Sequence, residues 1–222
     1  MLELSNQLKK MSNQNWTLNL EYNTQLSPVG YRYLADILSS TITIVDLCVA
    51  SNDMSEEART NLLNNLWKNK TLKNFNICNN KLNNQDIEYV GRFIQNNSVI
   101  KEIDLSICKI DDDGAICLAK FLVESSLEKL DLSQNSINDR GCASLLSSIP
   151  PTLTDLLLDN NKISESSLQT ILNFLAANRT LRKLTLSNNP IFFKKGDSNE
   201  YNDAVSEQLS QAAKQNNICE LD

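Results

Sequence analysis

The chain has 222 residues, 41% of them hydrophobic, and sets 21 Lys+Arg against 27 Asp+Glu for a net charge of -6. That apolar content suits a continuous core rather than a disordered chain, and the acidic balance is the reverse of what phosphate contacts require, so no nucleic-acid partner is expected. Histidine is absent, which removes His-based acid–base chemistry, the usual catalytic triads and His-containing metal sites.

Residues 1–14 place Leu2, Leu4, Leu8 and Met11 among polar neighbours and are predicted to form an N-terminal capping helix. They hold no signal-peptide h-region, and no apolar run in the chain approaches the ~20 residues that span a bilayer. From residue 15 to 222 the chain reads as a single repeat array. Leu18, Leu20 and Asn23 make a degenerate first copy, with Leu26 displaced by one residue, and Ile42, Val45 and Leu47 make a weak second. Leu72, Phe75, Ile77, Asn80 and Leu82 fill one pattern, and Ile100, Ile103, Leu105, Cys108 and Ile110 fill it again. Three strong copies follow: Leu127, Leu130, Leu132, Asn135 and Ile137; Leu153, Leu156, Leu158, Asn161 and Ile163; Leu181, Leu184, Leu186, Asn189 and Ile191. Copies start near 15, 42, 72, 100, 127, 153 and 181, a period of about 28 residues.

Behind each copy runs a second rhythm with apolar residues four apart, such as Gly114-Leu118-Leu122 and Gly141-Leu145-Ile149, which predicts one helix per copy. Each unit is therefore a strand, a turn, a helix and a loop. After Leu186 the regular helix entrance gives way to an insertion, Pro190 to Glu200, carrying Phe192 and Phe193. A helix from about Asn202 to Gln215 is predicted next, and Ile218 to Leu221 begins an eighth strand. A solenoid needs a polar cap at each end, and none is visible after this last strand, so the chain is expected either to be part of a longer protein or to close that strand by self-association.

The pattern L-x-x-L-x-L-x-x-N/C-x-I/L followed by G-x-x-x-L-x-x-x-L resembles the ribonuclease-inhibitor-type leucine-rich repeats, and the resemblance covers nearly the whole chain. It implies an α/β fold: a right-handed β-α superhelix, a horseshoe with a parallel sheet on the concave face and helices on the convex face. It also implies that Asn23, Asn80, Cys108, Asn135, Asn161 and Asn189 form a structural ladder bonded to backbone groups beneath the strands. Members of that family include nuclease inhibitors, GTPase activators, actin-filament cappers, immune receptors and bacterial effectors, so the resemblance names a scaffold more than a task.

Three tempting motifs have plainer readings. Asp111-Asp112-Asp113-Gly114 lacks the alternate acids and terminal Glu of a calcium loop and aligns with the helix entrance Asn138 to Gly141. Cys48 and Cys78, placed in the same inward slot of adjacent copies, are read as free thiols, since no third ligand converges on them; the six cysteines form no C-x-x-C pair and suit a reducing cytosol. Sequons at Asn15, Asn69, Asn96 and Asn178 are read as loop chemistry between copies.

Function should sit on strand side chains that the core does not claim. Asp46, Glu102, Asp104, Asp131, Asp155 and Asp159 are predicted to form an acidic strip along the hollow, with Lys101, Lys129 and Lys183 partly neutralising it. Trp16, Tyr22, Ile44, Val49 and Ile107 are predicted to supply apolar anchors toward the N-terminal end. The expected function is non-catalytic binding of another protein on this face in the cytoplasm, without cofactor, metal or membrane; the Asn-rich composition and missing leader also suit a secreted bacterial effector in a host cytosol. The second reading is a regulator of a small GTPase, for which Arg32, Arg92 and Arg182 are the available arginines near loops.

Overall fold

The computed structural model describes residues 15–39, 43–194, 200–216, 218 and 220–221. The capping helix predicted over 1–14, Ile42, Cys219 and the middle of the insertion lie outside the described residues. Among the described residues, eight strands run in one sheet in strict chain order: β1 (Trp16–Asn19), β2 (Ile44–Cys48), β3 (Asn74–Asn76), β4 (Glu102–Asp104), β5 (Lys129–Asp131), β6 (Asp155–Leu157), β7 (Lys183–Thr185) and β8 (Glu220–Leu221). Every pairing is parallel. Between strands lie α1 (Pro28–Leu38), α2 (Glu56–Leu66), α3 (Asn84–Asn96), α4 (Asp112–Leu122), α5 (Asp139–Leu146), α6 (Leu168–Ala177) and α7 (Asp203–Gln215). Strands stack at about 4.8 Å while helices need about 8–10 Å, so the helical layer splays and the array curves with its sheet inside.

The leucine pattern is the core. Leu130, Leu156 and Leu184 stand side by side in the sheet, and each is fully buried, as are Leu132 and Leu158. No single strand and helix can bury these faces alone, so each unit needs its neighbours. The asparagine ladder closes the turn below. Asn161 donates through Nδ2 to the carbonyls of Leu132 in the preceding unit (2.9 Å) and Leu158 in its own (3.1 Å), and its Oδ1 accepts the Ile137 N–H at 3.0 Å. Asn80, Asn135 and Asn189 bond in the same manner and are buried. Cys108 holds its rung as a buried thiol reaching the Ile77 carbonyl at 3.5 Å, its pKa pushed up to about 12 by burial. Asn23, on the outermost rung, is exposed and reaches only its own turn, donating to the Glu21 carbonyl at 3.0 Å.

The second copy sits two residues later than the sequence pattern suggests. Leu47 pairs with Phe75, and Ile44, Leu47 and Val49 are all buried. The copy therefore runs Ile44, Leu47, Val49, Asn52, Met54, and Asn52 is a ladder residue that the sequence reading passed over. Its Nδ2 donates to Leu20 and Val49 carbonyls at 2.9 and 2.8 Å, while its Oδ1 is buried without a partner. The displaced Leu26 explains the gap. Its N–H bonds the Asn23 carbonyl instead, so the first turn is out of step with the rung above.

The inter-copy loops hold a second ladder. Asn69, 2% exposed, accepts the N–H groups of Thr71 and Leu72 and donates to the Leu38 carbonyl at 2.7 Å. Asn97 and Asn178 accept from their own loops in the same way. The sequon asparagines Asn69 and Asn178 thus serve the turn, as their loop context implied.

Candidate protein-binding face

Inward-facing side chains form rows across the sheet. The first row sets Asp46, Asn74, Glu102, Lys129, Asp155 and Lys183 side by side. From Glu102 onward its charges alternate in sign, and Lys129 Nζ stands 3.9 Å from Glu102. Lys101 takes no part; it pairs with Glu128 at 2.7 Å. Asp46 accepts from Thr17 Oγ1 at 2.8 Å and from Asn74 Nδ2.

The second row reads Asn19, Cys48, Asn76, Asp104, Asp131, Leu157 and Thr185. Here Asp104 and Asp131 are direct cross-strand neighbours, and like charges so placed repel. The Asp131 carboxyl is pushed above its ordinary range, mainly by burial; bonds from Ser133 oppose this and the Asp104 charge adds to it. Asp159, in the next row, is committed to structure, accepting the Ser187 N–H at 2.8 Å and the Thr185 hydroxyl. Asp46, Glu102, Asp104, Asp131 and Lys129 line one groove of about 400 Å³ across β1–β5. Asp155 and Asp159 fall outside it.

Strand ends in the second row share one device. Asn19, Asn76, Asp104 and Asp131 each accept, through Oδ1, the N–H two residues on, at 2.8–2.9 Å. Asparagine thus does this work in two units and aspartate in two, so the turn itself has no need of the negative charge. An Asp131→Asn variant should keep the Ser133 bond and lose the repulsion. With its folded pKa raised, the ionised Asp131 opposes folding above that value, and the penalty fades as pH falls through it. Asp131→Asn should therefore raise the urea midpoint at pH 7 by up to about 1 kcal/mol equivalent, with the gain shrinking at acid pH. A lower midpoint at pH 7 counts against this account of the pair.

Three of the expected apolar anchors lie elsewhere. Ile44 and Val49 are core residues, 1% and 0% exposed, because of the two-residue register change. Trp16 is part-buried and packs against the core, beside a register shift in which it pairs with Ile44 and Thr17 with Asp46. Tyr22 and Ile107 remain exposed, at 74% and 38%, but on the rim of the hollow rather than its floor. They belong to a row, Tyr22, Ser51, Asn79, Ile107, Gln134, Asn160 and Asn188, in which every residue has φ between 53° and 59°. That left-handed conformation suits Asn and costs a β-branched residue such as Ile107 about 1–2 kcal/mol.

The same register change separates the thiols. Cys48 pairs with Asn76, so Cys78 is a diagonal neighbour rather than an opposite one. Cys48, Cys78, Cys108, Cys117 and Cys142 are all free. Among the described residues no His, Cys, Asp or Glu group is arranged to hold a metal ion, and no helix is long and apolar enough to cross a membrane.

A family model described as "Leucine Rich repeat" matches residues 96–119 and 124–146. The ribonuclease inhibitor of Sus scrofa is 26% identical over 207 residues, covering 78% of this chain and 45% of that protein. The Rho GTPase-activating protein gacW of Dictyostelium discoideum is 28% identical over 204 residues, covering 84% of this chain and 18% of that protein. Among solved structures, leiomodin-1 actin-binding site 2 superposes with a TM-score of 0.51 at 19% identity, covering 73% of this chain and 92% of the other, a likeness of fold. The chain thus spans less than half the length of these two curated relatives. With its strand-by-strand leucine core and its buried asparagine ladder, the chain is built of leucine-rich repeats and is similar to ribonuclease inhibitors.

Proposed function

We propose that the chain is a non-catalytic recognition module that takes a partner protein into its concave face and seats a cationic group of that partner on Asp104 and Asp131. The observation that carries this reading is the charge of that pair. Asparagine makes the same turn in β1 and β3, yet β4 and β5 carry two adjacent carboxylates, one of them desolvated. A cationic side chain would relieve both the repulsion and the unmet charge. Tyr22 and Ile107 flank this floor from the rim and offer apolar contact area.

Cross-linking from native lysate, read by mass spectrometry, would supply the partner, and titration would then compare three proteins: wild type, the Asp104→Lys/Asp131→Lys pair, and Asp36→Lys on the exposed side of α1. Charge reversal in the groove should weaken binding about a hundredfold or more, and the helix variant should bind as wild type does. Equal affinity for all three proteins sinks the proposed face.

Likeness to a Rho GTPase-activating protein favours a second reading, regulation of a small GTPase. The available arginines give it little support. Arg32 lies over the Tyr33 ring on α1, Arg92 is paired with Glu88 at 2.6 Å on α3, and Arg182 precedes β7. Single-turnover GTP hydrolysis with and without the chain separates the two readings. An effector role has only the Asn-rich composition behind it.

A further inference from the structure

The acidic run Asp111-Asp112-Asp113 is used twice over by the fold, once within its own unit and once by the next. Asp111 Oδ1 caps its own helix, accepting the Gly114 N–H at 3.0 Å. Asp112, the first residue of α4, turns the other way: its Oδ1 accepts the Asn138 N–H at 2.7 Å and the Gly141 N–H at 2.9 Å, both at the entrance of α5. Asp113 stands 3.9 Å from Arg140 of that same entrance. The N-cap residue of α5, Asn138, makes no side-chain cap bond of its own.

One unit later the arrangement recurs. Asp139, the first residue of α5, accepts the Ser164 N–H at 2.8 Å, the Ser164 hydroxyl at 2.6 Å and the Ser167 hydroxyl at 2.6 Å, all at the entrance of α6. Burial works to raise the Asp139 carboxyl, and the bonds from Ser164 and Ser167 outweigh burial and hold it below its ordinary range. Earlier in the chain the caps are local: Ser27 serves Gly30, Ser55 serves Ala58, and Asn83 forms a reciprocal capping box with Asp86.

We infer that Asp112 and Asp139 are cross-unit clasps that make α5 and α6 depend on the unit before them, so that the C-terminal part of the array opens in sequence from each broken clasp. Helix ends need their first N–H groups satisfied; at α5 a neighbour's carboxylate does this for Gly141, and just before α6 the Asp139 carboxylate instead ties the Ser164 N–H and the Ser164 and Ser167 hydroxyls, all by charge-assisted bonds. In a stacked array such bonds add to the interface between units rather than to the unit itself. The N-terminal helices have local caps, and the cross-unit tie at the α3 entrance is the Arg59–Asp86 ion pair rather than a carboxylate borrowed as the cap.

Hydrogen exchange on the full chain tests the assignment, because a clasp and a local cap loosen different segments. Asp112→Ala should lower protection about tenfold in 139–146 and leave 112–122 near wild type. Asp139→Ala should do the same in 164–177 and leave 139–146 near wild type. Asp111→Ala, the local control, should loosen 112–122. Where an alanine variant does not fold, Asp112→Asn or Asp139→Asn keeps an acceptor without its charge, and a smaller loss in the same downstream segment is expected. Loss confined to the mutated helix, or no loss at all, overturns the inference.

Discussion

Replacing Asp86 with alanine is expected to cost the fold about 3–5 kcal/mol, the range for breaking a buried ion pair from one side. Asp86 and Arg59 are 1% and 8% exposed, and Arg59 Nε donates to Asp86 Oδ2 at 2.6 Å across the α2–α3 contact. The guanidinium also donates through Nη1 to the Met54 carbonyl at 2.7 Å, while Asp86 accepts the Asn83 N–H at 2.9 Å. Without the carboxylate, α3 loses its capping box and a buried cation loses its counter-charge. Removing both charges together, as Arg59→Leu with Asp86→Ala, should recover part of the loss, since the stranded cation accounts for much of it. Urea unfolding of the three variants checks this; an Asp86→Ala cost below about 1 kcal/mol, or a double variant worse than the single, contradicts it.

The second large effect concerns the ladder. Asn135 Oδ1 accepts the N–H groups of Cys108 and Ile110 at 3.0 and 2.9 Å, and its Nδ2 donates to the carbonyls of Leu105 and Leu132 at 3.0 and 2.9 Å. Alanine there strands buried donors and acceptors in two units at once, at about 3 kcal/mol or more. Cys108 sits one rung away with a different part to play. The Leu82 N–H that an asparagine side chain would have accepted is taken by the Cys108 main-chain carbonyl at 3.1 Å, which survives any substitution. Cys108→Ala should therefore cost only about 1 kcal/mol, the loss of a small buried group. Similar costs at positions 108 and 135 would falsify the view that the amide, rather than the space it fills, holds the turn.

Most of the fold was legible because the leucine slots report burial twice, once at strand spacing and once at helix spacing. Leu130 and Leu184 have polar neighbours on either side in sequence, and Leu156 follows Asp155, so the copies line up in only one register that buries all three. The second copy lacked that contrast. Ile42, Ile44, Val45, Leu47 and Val49 are all apolar, and two registers two residues apart fill the slots about equally well. Asn52 decides between them, since only one register brings its amide beneath the strand to the Val49 and Leu20 carbonyls. That single asparagine was the available signal, and reading it would have returned Ile44 and Val49 to the core.

The candidate face was legible in outline for the same reason: side chains that alternate with buried leucines must point into the hollow. What the sequence concealed was how each acid is occupied. Asp159 is held by Thr185 and Ser187, Asp155 lies between Lys129 and Lys183, and only in the sheet do Asp104 and Asp131 meet. The helix-entrance acids were likewise readable as caps, but which helix Asp112 and Asp139 serve depends on stacking, which no local motif encodes.

The row of left-handed residues from Tyr22 to Asn188 follows each of β1 to β7 in turn. After β7 the chain then makes a detour, in which Phe193 bridges back to Tyr201 and Phe192 stacks on that ring, before α7 resumes the rhythm and β8 still joins β7 in parallel. Because Phe193 and Tyr201 meet at the two ends of the detour, β8 still takes its place beside β7. This detour is thus a natural grafting point, where a foreign loop inserted behind a left-handed asparagine should decorate the molecule without disturbing the pitch of the units on either side.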